Sequence, residues 1–568
     1  MPTPKLPSCA TLKRCLLLCI FALSCCSYTS KTAAPVMDNT TSDQETLLQE
    51  LTTGTVTLDQ KELAEYAEIT DCLVSIEQNK KTVTLSLSMP AIPQSDDAYL
   101  YLFRMDVWEK SDTLTKEPIA EVLKNQNSQF QFAYNDEYLF NEFVPALLVN
   151  DKYIPISIGH YITNPEVIAK NQDSYPNATS KKGLLLDPQM LGTPLLTDLG
   201  VQHAIYNIPL FLILGETSDK KFPTISYDYQ GTTYYFNGAT IDSYDNLFSY
   251  LTNSGMLSTA IILNDWNETN LDMIHPLARV NRSGAFYYAF NTAEENGCKH
   301  LEAVASFLAA RYSGGEHGLV SSWVISNEIN QRTVWNYMNT TDINLYAEQY
   351  EKSLRIFYNA IKSNYANAKV YFSVDHYWNN NQNDNKYFNA KDLITAINTA
   401  ATQKGNYDWG LAIHPYPDPL TRVNYWTGDY DKSINAPVLT IMNLSTATDF
   451  LSQKEYLDRS GNVRSITVTE LGFSSTTGEK LQAAAFAYCY LIIDANPYVD
   501  AFIMNRQTDA KEEVAQGLAF GIYEFDHTDK FILDVFTYID TPQASEYTDF
   551  MLNILDADTL EEALAWAE

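Results

Sequence analysis

Two glutamates stand at the ends of short apolar runs, 142 residues apart (470 − 328). Ser322-Trp323-Val324-Ile325-Ser326 breaks into Asn327-Glu328, and Ile466-Thr467-Val468-Thr469 delivers Glu470 just before Leu471-Gly472. Runs of this length and type read as buried strands. Two carboxylates facing one site can divide acid and base work. One, ionised, attacks a carbon while the other, protonated, assists the leaving oxygen, provided their surroundings drive the two pKa values apart. A lone Asn-Glu is a common surface or capping pair; a second strand-end glutamate gives it weight.

The elements that must position this pair are those of a parallel barrel, whose strand C-termini face one common site. From residue 186 onward, strand-like runs alternate with amphipathic helical patterns, as β/α units do. The spacing predicts eight strands: His203–Leu214, Thr259–Asn264, Ala285–Phe290, Ser322–Ser326, Val370–Val374, Gly410–His414, Ile466–Thr469 and Ala501–Met504. Glu328 then ends strand four and Glu470 strand seven. Cys298, Leu301, Ala305, Leu308 and Tyr312 recur at helical steps and stop at Gly314-Gly315; Ala347, Tyr350, Leu354, Phe357 and Ile361 do the same. Tyr227 to Tyr235 reads as a hairpin inserted after the first strand, placed to wall a cleft. Between residues 55 and 185 the period changes to two, with Val83, Leu85, Leu87 and Met89 alternating with polar residues, so a small β-sandwich of packing or spacer character is expected ahead of the barrel. The fold class is thus α/β, a (β/α)8 TIM barrel at 186–568 preceded by a β-sandwich at 55–185.

At these positions the chain resembles the clan of retaining glycoside hydrolases built on (β/α)8 barrels, over roughly residues 190 to 530. Asn327-Glu328 matches the acid/base at the end of strand four, and Thr469-Glu470-Leu471-Gly472 the nucleophile at the end of strand seven. The wording Ser326-Asn327-Glu328-Ile329-Asn330, His414-Pro415-Tyr416-Pro417, Glu470-Leu471-Gly472-Phe473 and Asn505-Arg506-Gln507 also resembles a narrower bacterial barrel family of unknown function. The resemblance implies cleavage of an oligo- or polysaccharide by double displacement, with no cofactor or metal. It implies that His414 or Tyr416 hydrogen-bonds the nucleophile carboxylate, and that Asn327 binds the sugar hydroxyl beside the anomeric carbon. Asp375, His376 and Trp378 close strand five and are expected to line the same mouth, with Arg506 after strand eight. Trp335, Trp266 and Trp426 fall in loops after strands, where rings can stack on sugars or simply pack. The chain departs from many clan members in having Met504-Asn505-Arg506 after strand eight and Leu263-Asn264-Asp265-Trp266 after strand two. The same barrel cleft suits a second expectation, a surface protein that binds glycan without cleaving it.

Composition narrows the partners. The chain has 568 residues and a formal charge of −32, which repels nucleic acid and acidic lipid. Lys13-Arg14, the apolar run Leu16 to Leu23 and Ser24-Cys25-Cys26 read as a lipoprotein-type signal over residues 1–26, with Cys26 or Cys25 lipidated and a cell-surface location following. The run is too short to span a bilayer, so the lipid anchor is the expected membrane contact. Residues 27–54, rich in Ser, Thr and acids, are expected to be a disordered tether. Five of the eight cysteines lie in the leader, leaving Cys72, Cys298 and Cys489, which make neither a disulfide framework nor a zinc site. Asn379 to Asn385 lacks the glycine and terminal Glu of a calcium loop. No P-loop, dinucleotide fingerprint, His-Glu-x-x-His or Gly-x-Ser-x-Gly occurs.

Overall fold

The computed structural model describes residues 39–110, 114–280, 284–380 and 385–567, with backbone alone for 39–43 and 269. The chain divides between Gln49 and Glu50, and the larger unit carries both the β-domain and the barrel. Leu47, Leu48 and Leu51 recur at helical spacing, and a helix spans Asn39–Thr53, so the disordered tether expected at 27–54 is corrected over these residues. Residues 1–38, with the leader and both Cys25 and Cys26, lie outside the described residues.

The β-domain consists of two antiparallel sheets. One orders Glu68–Glu77, Lys80–Ser88 and Asn127–Ala133; the other orders Ala120–Leu123, Tyr99–Met105, Glu142–Val149 and Lys152–Pro155. The period-two residues Val83, Leu85, Leu87 and Met89 are all buried, as alternation requires. This domain meets the barrel helices through specific polar contacts rather than a loose hinge. Asn359 Nδ2 donates to Leu139 O (2.8 Å), Lys404 pairs with Glu142 (2.9 Å), and Arg355 lies between the rings of Tyr161 and Tyr407.

The barrel closes from eight parallel strands: Lys182–Leu185, His203–Pro209, Leu257–Leu263, Val320–Ile325, Lys369–Val374, Trp409–Ile413, Ile466–Leu471 and Val499–Met504. Ile205, Ile261, Leu263, Val324, Tyr371, Ala412, Ala501 and Ile503 form a core cluster of their own, the packed interior of a filled barrel. Two expectations are corrected. Strand one is Lys182–Leu185, so the junction expected at 185/186 falls at the end of a barrel strand. Its four residues hold no β-branched side chain, and Gly183 is there because a Cβ would meet Ile503 Cδ1 at 2.4 Å on strand eight. Conversely, Ala285–Phe290 has strand composition but lies in the loop after strand three, bridged singly to Asp265, Ile274 and Tyr337. The omission and the surplus offset each other, so Glu328 still follows strand four and Glu470 still closes strand seven.

The hairpin forms at Ile225–Tyr229 and Thr232–Phe236, after strand two. It does not wall the cleft. Phe236 stacks on Phe307, and the Tyr229 hydroxyl donates to Glu302 (2.8 Å), both on the outer helix Glu295–Arg311. Cys72, Cys298 and Cys489 are free and buried. No described helix is long and apolar enough to cross a membrane.

Candidate active site

Strand four stops abruptly. Ser326 and Glu328 take positive φ values of 66° and 36°, a region that costs non-glycine residues on the order of 1–3 kcal/mol and persists only where surrounding contacts enforce it. Those contacts come from strand five: the Glu328 N–H donates to Ser373 Oγ (2.8 Å) and the Ile329 N–H to Ser373 O (3.0 Å). Asp375 completes the clamp, accepting from Asn330 Nδ2 and Gln331 Nε2, each at 2.5 Å. Asp375, expected to line the mouth, therefore ties the loop after strand four to strand five.

Glu328 and Glu470 meet across one imidazole. His414 Nδ1 lies 2.8 Å from Glu328 Oε1 and 3.9 Å from Glu470 Oε2, so those two oxygens are separated by at most the two distances added, 6.7 Å. Of the two donors expected at Glu470, it is the Tyr416 hydroxyl that donates, to Oε1 (2.9 Å), whereas His414 hydrogen-bonds Glu328. Asn505, at the end of strand eight, donates through Nδ2 to the Tyr416 hydroxyl (3.0 Å) and to Glu470 Oε1 (3.4 Å). Gly472 makes room for this approach, since a Cβ there would meet Asn505 O at 2.2 Å. The Asn505–Arg506 peptide is cis.

Burial is the main cause that pushes the Glu328 carboxyl up to about 7, against the opposing pull of His414. For His414, burial alone would lower the pKa, but the hydrogen bond to Glu328 and the charges of both glutamates outweigh it and hold the imidazole above its ordinary value. Burial and the Glu470 charge keep the Tyr416 phenol protonated. The Thr469 hydroxyl lies 3.1 Å from His414 Nε2 and can donate or accept. His414 can thus donate from Nδ1 to an ionised Glu328, or accept there from a protonated one while Nε2–H donates to Thr469. Thr469 and Asn505 were missed as site residues. Thr469 was legible as the neighbour of Glu470 on its strand, whereas for Asn505 only the Asn-Arg-Gln wording pointed to the position.

The remaining expected residues are placed unequally. Asn327 is 8% exposed, and its side chain has no hydrogen-bond partner among the described residues. Arg506 pairs with Glu513 (3.0 Å) and lines a cavity of about 560 Å³ at the ends of strands one, two and eight. His376 is half-buried against Tyr377 and makes no hydrogen bond or ion pair with Glu328 or Glu470. Trp378 is corrected outright: it is fully buried, donates through Nε1 to Ile434 O (3.0 Å) and packs on Phe450. Trp426 packs on Tyr425 and Tyr488, and Trp266 on Tyr288. Trp335 is half-buried beside Tyr287 and stacked on Phe286. The Asn379 to Asn385 turn lies partly outside the described residues. Among the described residues, no group of three His, Cys, Asp or Glu side chains could hold a metal. A larger cavity, about 1060 Å³, runs between the β-domain and the barrel, and neither Glu328 nor Glu470 lines it.

No curated protein matches the chain. Among solved structures it is similar to a family 39 glycoside hydrolase from the gut symbiont Bacteroides cellulosilyticus, 14% identical over 86% of this chain and 81% of that one, with a TM-score of 0.41. It is also similar to the GH53 catalytic domain of Ignisphaera aggregans, 15% identical over 64% and 98%, TM-score 0.38, and to a GH5_18 protein of Bifidobacterium longum, 11% identical over 64% and 79%, TM-score 0.41. The model of a family of unknown function, DUF5722, matches residues 174–563. That match takes in every barrel strand and most of the chain, and the protein belongs to this family.

Proposed function

We propose that the protein is a retaining glycoside hydrolase, with Glu328 as acid/base and Glu470 as nucleophile. The observation that carries this reading is the pair of unlike carboxylates sharing His414, whose oxygens lie at most 6.7 Å apart by the two His414 distances of 2.8 and 3.9 Å. Retaining enzymes hold their carboxyl groups about 5–5.5 Å apart and inverting ones about 6.5–9.5 Å; the bound takes in the first range and reaches the edge of the second, so retention is read from the placement at the ends of strands four and seven. In the first step Glu470 forms a bond to the anomeric carbon as the glycosidic C–O bond breaks, and Glu328 gives its proton to the departing oxygen. In the second, Glu328 takes a proton from water, the water oxygen bonds to the anomeric carbon, and Glu470 leaves as carboxylate. Two hydroxyl and amide donors, from Tyr416 and Asn505, receive that returning charge. Burial keeps Glu328 protonated up to about pH 7, and it can cycle because His414 and Thr469 accommodate either of its states.

The test is the anomer of the first-formed product from an aryl glycoside, assigned by NMR. Retention is expected. Glu470→Ala should abolish turnover, with azide restoring an inverted product; Glu328→Ala should spare glycosides with good leaving groups, with azide giving a retained product. Inversion by the wild type, or full activity in either variant, overturns the assignment. Binding of glycan without any turnover would instead favour a non-catalytic surface protein.

We further propose that the chain is exported and lipid-anchored through Cys26 or Cys25, a reading supported by the basic pair Lys13-Arg14 and the apolar run Leu16 to Leu23 ahead of them.

A further inference from the structure

Three aromatic rings lead outward from the catalytic pair on the loops after strands three and four. Tyr287 stands close enough to Glu470 and Asp265 to feel both charges. Its ring lies 5.9 Å from that of Trp335, and Trp335 lies 4.8 Å from Phe286 at an interplanar angle of 19°. Phe286 is 61% exposed, more than any other large apolar side chain among the described residues. Its backbone is held, not frayed: the Phe286 N–H donates to Val334 O and the Tyr287 carbonyl accepts from Tyr337 N–H. A held, solvent-facing ring stacked on a second ring extends an apolar surface that a ligand can cover. Its continuity with the carboxylates indicates which ligand. The C–H face of a sugar ring is flat and apolar with a polar edge, and an aromatic ring buries such a face while leaving the hydroxyls in water.

The opposite side of the mouth suggests the charge of that ligand. The cavity beyond Asn505 is lined by Asp187, Arg506, Asp509 and Lys511. Arg506 pairs with Glu513 (3.0 Å) and Asp509 with Lys530 (2.6 Å), so three carboxylates balance three cations. Charges around this cavity balance in number, Lys511 lying over the Phe525 ring, and a chain of formal charge −32 repels a polyanion.

We propose that Phe286, stacked on Trp335, is a sugar-binding platform beyond the point of cleavage, so that the substrate is a neutral oligo- or polysaccharide chain rather than a single glycoside. This rests on the glycosidase reading, and the experiment separates the two. Affinity gel electrophoresis of the inactive Glu470→Gln protein is run against neutral galactan, mannan, xylan and β-glucan and against anionic polygalacturonate. At least one neutral polysaccharide should retard it, and adding Phe286→Ala should weaken the retardation about tenfold, the upper range for one aromatic contact. In the active protein, Phe286→Ala should lower kcat/KM about tenfold more on that polysaccharide than on an aryl monoglycoside. Failure of every neutral polysaccharide to bind, equal binding of polygalacturonate, or indifference to Phe286→Ala overturns the platform. If the glycosidase reading alone fails, retardation and its dependence on Phe286 persist without turnover. If the platform alone fails, aryl glycoside turnover persists with Phe286→Ala equivalent on both substrates.

Discussion

Replacing His414 by Phe tests how Glu328 acquires its acidity. The imidazole is buried and hydrogen-bonds Glu328 (2.8 Å) and Thr469 (3.1 Å), with Glu470 at 3.9 Å, so a ring of similar size keeps the packing while removing these contacts. His414 opposes the rise that burial imposes on Glu328, whose carboxyl stands at about 7. Without that partner the anion loses a hydrogen bond to a charged group, worth about 1.5–3 kcal/mol, which is roughly 1–2 pH units. The sign follows directly: a group that must be protonated to act, and whose pKa rises, stays active to higher pH. The assay is kcat/KM between about pH 5 and pH 10 on an aryl glycoside with a poor leaving group, which needs the proton. The wild type should lose activity through a limb near 7, and His414→Phe should move that limb upward by roughly 1–2 units. A highly activated aryl glycoside should show the limb faintly in both proteins. A limb that stays in place, or moves down, in the variant would refute the assignment of Glu328 as the acid tuned by burial against His414.

Two further outcomes are expected. Burial pushes the carboxyl of Glu302, on the outer helix against the hairpin's Tyr229, up to about 8; the folded protein therefore keeps a proton that the unfolded chain releases above its ordinary carboxylate pKa, so this residue's contribution declines as pH rises from about 4.5 to 8. Glu302→Gln should gain stability over the wild type by roughly 1–3 kcal/mol at pH 8 and little at pH 5, read from urea midpoints; parallel pH profiles would refute the buried proton. Substituting both Cys25 and Cys26 by Ser should release a fatty-acylated protein from the membrane fraction of a bacterial host, and unchanged partitioning with no acyl mass on the wild type would refute the anchor.

The carboxylate pair was legible because strand periodicity and strand termination are local properties: a β-branched run ending in Asn-Glu or Thr-Glu-Leu-Gly declares both the element and the residue at its end. Strand Lys182–Leu185 was not legible, because four residues carry no period and their strand character comes from neighbours on both sides. The tyrosine-rich Ala285–Phe290 misled for the complementary reason, since its aromatic residues suit a pleated surface and suit a rigid loop equally well.

By itself, then, the sequence determined the barrel, the β-domain before it, and the two glutamates at the ends of strands four and seven, since alternation, helical spacing and chain order survive any error in counting that cancels. Only the tertiary structure decided which donor serves which carboxylate, that Trp378 belongs to the core while Phe286 faces solvent, and that Asn505 reaches Glu470. The contacts of His414, Tyr416, Asn505 and Trp378 are distances between residues 35 or more positions apart. Such distances are set by closure of the barrel and by how each strand end turns, and no local pattern of residue types encodes them.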